Sequence, residues 1–164
     1  MAIPSGPIDA SAFLDRLVGR WRGVEIMGVT PWSAGGQAAS EVEAELALGG
    51  AFLFQSYRQF RTGLPDFEAR SVFGLDKASG QVLMYLFDSM GFIPAAPAVG
   101  MPEERELVFT RSSPRGRGQH RFSFEDDGSY RLVVRFAPPE GAWGTVMAGH
   151  YNPSLLPDGV FHGP

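Results

Sequence analysis

The stretch Glu41–Arg61, EVEAELALGGAFLFQSYRQFR, decides the fold. In its first half Val42, Ala44, Leu46 and Leu48 alternate with Glu41, Glu43 and Glu45. One face is therefore apolar and the other carries carboxylates, the period-two pattern of a half-buried strand. Gly49-Gly50 permits a tight turn, because glycine takes positive φ without a steric penalty. In the second half, Ala51–Arg61, the rings of Phe52, Phe54 and Phe60 fall on one side of an extended chain. Two such segments across a two-glycine turn predict an antiparallel hairpin.

The same rhythm extends outward. On the C-terminal side, Thr62–Asp66 breaks the run with Gly and Pro, and Phe67–Leu75 resumes it with Phe67, Ala69, Ser71, Phe73 and Leu75 aligned. Asp76–Gly80 has the composition of a turn. Gln81–Phe87, Glu106–Arg111, Gln119–Glu125, Tyr130–Phe136 and Trp143–Tyr151 continue the pattern, separated by Gly-, Pro- and Asp-containing turns. On the N-terminal side, Phe13, Leu14, Leu17 and Val18 lie at helical spacing, with Asp9 or Ser11 able to cap the start and Gly19 to stop it. The spacing predicts one short helix over about 9–18, a barrel over about 20–151 and a tail over 152–164. The fold class is all-β, an antiparallel up-and-down barrel of about 8–10 strands behind a short helix, in a single domain. Gly23 is expected at a bulge, because Trp21 and the pair Val24 and Ile26 have opposite parity. Thr30–Ala39 and Phe92–Met101, rich in Pro, Gly and Ala, are expected as portal loops.

Composition narrows the function classes. The 164 residues are 44% hydrophobic and 20% charged, with a net charge of -4 and no cysteine. Disulfides, thiolate zinc sites and cysteine nucleophiles are excluded together. The acidic balance predicts no nucleic-acid partner. The opening MAIPSGPIDA lacks the basic and apolar regions of a secretory signal, and no apolar run reaches membrane-span length. A cytoplasmic protein is expected.

No motif of known chemistry occurs: no G-x-S-x-G, phosphate loop, dinucleotide fingerprint or H-E-x-x-H. His120, His150 and His162 are too scattered for a metal site. Arg111, Arg115, Arg117, His120 and Arg121 form a basic run that could meet an anion but reads more simply as a solvated hairpin tip. Glu41, Glu43 and Glu45 read as the wet face of a strand. No catalytic residue, metal or obligatory cofactor is predicted.

Four fragments carry a resemblance. They are Leu17-Val18-Gly19-Arg20-Trp21, Leu48-Gly49-Gly50-Ala51-Phe52, Gly74-Leu75-Asp76 before Gly80, and Phe87-Asp88-Ser89. In this order they resemble a bacterial family of unknown function with a lipocalin-like (calycin) barrel. The superfamily also includes fatty-acid-binding proteins and haem-binding nitrobindins. The resemblance implies that Trp21 closes one barrel end as a structural plug. The usual arginine partner of that tryptophan is absent from the last strand, leaving Arg131 or Arg135 as substitutes.

The leading expectation is a small apolar or amphipathic ligand inside the barrel, lined by Phe52, Phe54, Phe73, Tyr85, Phe122, Phe124 and Phe136. Arg58 shares the parity of Phe52 and Phe54, and would either meet a ligand carboxylate or reach water. One alternative is a nitrobindin-like protein binding haem through His150, provided that His150 faces inward. Another is a non-enzymatic interaction protein, with a homodimer among its forms, whose barrel is filled by its own side chains.

Overall fold

The structure, a computed structural model, describes residues 9–154. His162 lies outside the described residues. The helix α1 (Ala10–Leu17) leads into β1 (Gly19–Thr30), β2 (Ser33–Ala47), β3 (Phe52–Phe60), β4 (Phe67–Leu75) and β5 (Val82–Asp88). The chain continues through β6 (Ala98–Glu103), β7 (Glu106–Ser113), β8 (Gly116–Phe124), β9 (Tyr130–Ala137) and β10 (Gly144–Pro153). Each strand pairs antiparallel with its sequence neighbour, and β1 pairs with β10, so the ten strands close into one barrel. Closure removes both sheet edges.

The helix begins where the sequence places it. Asp9 accepts the backbone N–H of Ser11 at 3.0 Å as N-cap, and Gly19 takes φ +134° immediately after the helix. Phe13, Leu14 and Leu17 are buried, and Phe13 meets the rings of Phe73, Phe109, Phe122 and Phe124 at 5.4–6.0 Å. The helix therefore stoppers one end of the barrel. Trp21 packs beneath it, donating Nε1–H to the carbonyl of Leu17 at 3.0 Å, with its ring edge-on to Tyr130 at 4.8 Å. The tryptophan thus has an aromatic partner, Tyr130. Arg131 pairs with Glu125 and Arg135 lies over Trp143.

Three expectations are corrected. Gly23 is no bulge: the β1–β2 and β1–β10 registers run unbroken past it. Its smallness has another cause, since a Cβ there would run into Ser40 Oγ and come within 2.5 Å of the Tyr151 ring. Val24 and Ile26 simply point outward, 66% and 61% exposed. Thr30–Ala39 is not a portal loop; β1 and β2 extend through it and turn at residues 31–32. Likewise β7 and β8 pair as far as Ser113 and Gly116, so all of the basic run read as a hairpin tip except Arg115 lies within the two strands. In both places long-range pairing overrides a Gly-rich local composition.

Candidate ligand-binding interior

The inner face of β1 carries Trp21, Gly23, Glu25 and Met27 at period two, and the first three are buried. On β3 the inner face carries Leu53, Gln55, Tyr57 and Gln59. This overturns the expected parity: Phe52 and Phe54 point outward, 40% and 38% exposed, as does Tyr85 of β5. Arg58 is also on the outer face, where it pairs with Glu68 at 2.8 Å. The reason lies in the register with β2, whose inward residues Val42 and Ser40 sit opposite Tyr57 and Gln59. Aromatic rings alone misjudge parity, because a sheet's outer face can carry rings while polar groups with partners go inside.

Of the remaining expected lining residues, Phe73 and Phe122 are fully buried against α1, and Phe124 packs beside them beneath Arg16. They fill the stoppered end. Phe136 faces inward at the other end, its ring 5.6 Å from Trp32. His150 lies on the outer side of β10, between inward Gly149 and Tyr151, and its Nε2 is 2.9 Å from Ser129 Oγ. It faces a shallow polar groove with Arg105, Glu125 and Asp127 and does not reach the barrel interior.

The residue that sequence reading missed is Glu25. Its carboxyl group is wholly buried in the middle of the barrel. Tyr57 donates its hydroxyl to the two oxygens at 2.9 and 2.8 Å, and Gln59 Nε2 donates at 3.1 Å. The Tyr151 hydroxyl donates to Oε2 at a short distance. A buried acid costs several kcal/mol unless it is hydrogen-bonded, and here the acceptor positions are met by three side chains. Burial, then the neighbouring Glu25, pushes the Tyr57 and Tyr151 hydroxyls far above their ordinary pKa, so both remain donors. Tyr151 also stacks on Tyr130 at 4.7 Å, which joins this polar layer to the Trp21 layer.

Beyond Glu25 the interior changes character. In the stoppered half, Phe13, Leu53, Phe73 and Phe109 are 0% exposed. Inward Tyr57, Leu86 and Leu132 are partly buried at the edge of this core, and inward Met27, His120 and Val134 in the opposite half are also only partly buried. His120 is inward because it pairs with buried Phe109 and precedes buried Phe122 by two residues. Arg111 is inward on the same argument, and its side chain lies across Gly118. Solvent thus enters this half. Ten strands enclose more space than the eight whose side chains just fill a barrel, and α1 occupies only one end.

The wall is also weakest here. β5 and β6 share only the pairs Leu83–Val99 and Met84–Ala98, so Tyr85–Asp88 have no β6 partner. The segment 89–97 joins these two strands and carries exposed Met90, Phe92 and Ile93. Among the described residues no group of His, Asp and Glu has metal-site geometry, and no helix is long and apolar enough to cross a membrane.

A family model described as "Protein of unknown function (DUF1579)" matches residues 7–152. The chain belongs to that family. The DUF1579 barrel is also similar to solved structures over most of its length. The S-type phycobiliprotein lyase CPES from Guillardia theta aligns with TM-score 0.64 and 13% identity, covering 88% of this chain and 90% of that one. Rv2717c from M. tuberculosis aligns with TM-score 0.69 and 14% identity, covering 91% and 99%. At these identities the likeness establishes a shared calycin-like fold. No curated protein matches the sequence.

Proposed function

We propose that this DUF1579 protein binds one small apolar or amphipathic molecule in the half of the barrel opposite α1. The observation that carries this reading is the contrast along the inner face. Residues around Phe13 are sealed, whereas Leu86, Leu132, Val134 and Met27 point inward yet are reached by solvent. Inward apolar side chains that solvent still reaches offer the driving force for an apolar ligand. The hydrogen-bonded layer of Glu25, Tyr57, Gln59 and Tyr151 forms a rigid floor, and the unpaired span of β5 with segment 89–97 offers an entrance. The fold is shared with a phycobiliprotein lyase.

The test is a fluorescence titration with N-phenyl-1-naphthylamine, an uncharged apolar probe. The wild-type protein should bind it saturably at one per chain. Val134→Trp, which places a large ring on the inner wall opposite His120, should abolish binding while leaving the far-UV CD spectrum unchanged. Saturable binding that survives Val134→Trp would move the site elsewhere. No binding by either protein would favour a barrel that works through its outer surface.

A further inference from the structure

Two arginines enter the wet half of the barrel from different walls. Arg111, on the inner face of β7, lies against Gly118, with its Nε 3.2 Å from where a Cβ would stand. Arg61, one residue past β3, lies over the inward ring of Phe67 at 5.5 Å, and that ring packs on Tyr57 at 6.4 Å. Neither guanidinium has a carboxylate within ion-pair distance among the described residues. Arg61 Nε is buried and has no hydrogen-bond partner among the described residues. Arg58, Arg121 and Arg131, on the outer face, are paired with glutamates.

A buried guanidinium nitrogen without an acceptor, as at Arg61, is costly. The interior carboxylates do not relieve it. Glu25 is occupied by Tyr57, Gln59 and Tyr151, and Asp88 accepts the backbone N–H of Met90 at 2.9 Å. His120 supplies no negative charge. Burial, then the positive charge of Arg111, pushes it down to about 4, so it stays neutral beside the arginine at physiological pH. At the rim, Arg115 sits over Phe92 at 3.3 Å and Arg117 over Trp143 at 5.0 Å, adding positive charge beside exposed rings.

We propose that the ligand is a monoanionic amphiphile, of the long-chain carboxylate kind, whose head group is held by Arg61 and Arg111 while its apolar tail lies along the inner wall. This rests on the barrel-binding reading and assigns the chemical class of the ligand. Guanidinium groups pair with a carboxylate through charge-assisted hydrogen bonds, the strong kind, and two of them give orientation as well as affinity.

The experiment compares cis-parinaric acid with its methyl ester, both followed by their own fluorescence, on wild-type, Arg61→Met and Arg111→Met proteins. The wild type should bind the acid at least about tenfold more tightly than the ester. Each substitution should remove most of that preference and leave ester affinity within about twofold, which also reports that the barrel is intact. Equal affinity for acid and ester in the wild type, or an unchanged preference in both variants, would overturn the anion assignment and leave the barrel-binding reading standing. Failure of the wild type to bind either molecule would overturn both.

Discussion

Replacing Glu25 by leucine removes the acceptor on which the polar layer converges. The hydroxyls of Tyr57 and Tyr151 and the amide of Gln59 then remain in a buried setting with no carboxylate to receive them. A buried donor left unsatisfied costs about 1–3 kcal/mol. Tyr57 and Gln59 keep their mutual contact at 3.2 Å, and solvent reaches part of Tyr57, so the three costs do not add in full. The expected loss is about 3–5 kcal/mol, a large part of the 5–15 kcal/mol that typically holds a domain folded. Urea unfolding followed by tryptophan fluorescence measures it directly, with the m-value checking that the unfolded state is unchanged. The triple variant Glu25→Leu/Tyr57→Phe/Tyr151→Phe removes the orphaned hydroxyls with the acid and should recover at least half of the loss. A Glu25→Leu protein within about 1 kcal/mol of wild type would refute the claim that this network is a closed, satisfied unit. A triple variant no better than the single one would refute the mechanism by orphaned donors.

Other consequences are checked by similar means. Phe13→Ala empties the stopper, since Phe13 is fully buried against four phenylalanines, and should cost about 3–5 kcal/mol in the same unfolding assay. His120 is held neutral down to about 4 in the folded protein, against about 6.5 in the unfolded chain. Its folded pKa is depressed, so the unfolded state takes up the proton first and stability falls as pH drops from about 6.5 to about 4. The shift corresponds to about 3 kcal/mol, and the partial exposure of His120 reduces this to roughly 2 kcal/mol. His120→Gln should lack this component when urea midpoints at pH 7 and pH 4.5 are compared, and an identical pH dependence in both proteins would contradict it.

Much of the fold was legible because it is written in local periodicity. The alternation of Val42 and Ala44 with glutamates, the helical stripe of Phe13, Leu14 and Leu17, and the Asp9 cap all read correctly, and they fix strand order and the stopper. The inner face was less legible. On β3 both parities carry large side chains, with Phe52 and Phe54 on one and Leu53 and Tyr57 on the other, so hydrophobicity cannot choose between them. Pairing with β2 chooses. A usable signal existed in β1: once Trp21 is inward, an unbroken strand puts Gly23, Glu25 and Met27 inward too, and the glutamate then demands donors. Reading Gly23 as a bulge hid that demand, whereas its small size serves the Tyr151 ring from the far end of the chain. Contacts of that sequence separation leave no local trace. The inward turn of Arg111 and His120 was masked in the same way, by a basic run whose other members are outside.

The site of binding is the central claim, and amide chemical-shift mapping tests it most directly. On adding N-phenyl-1-naphthylamine to isotope-labelled protein, the account predicts that the shifts cluster at Met27, Leu86, His120, Leu132 and Val134 and spare the outer strand positions Phe52, Phe54 and Tyr85. Shifts centred on Phe52, Phe54 and Tyr85, with the inner wall silent, would place the ligand on the outside of the barrel and contradict it.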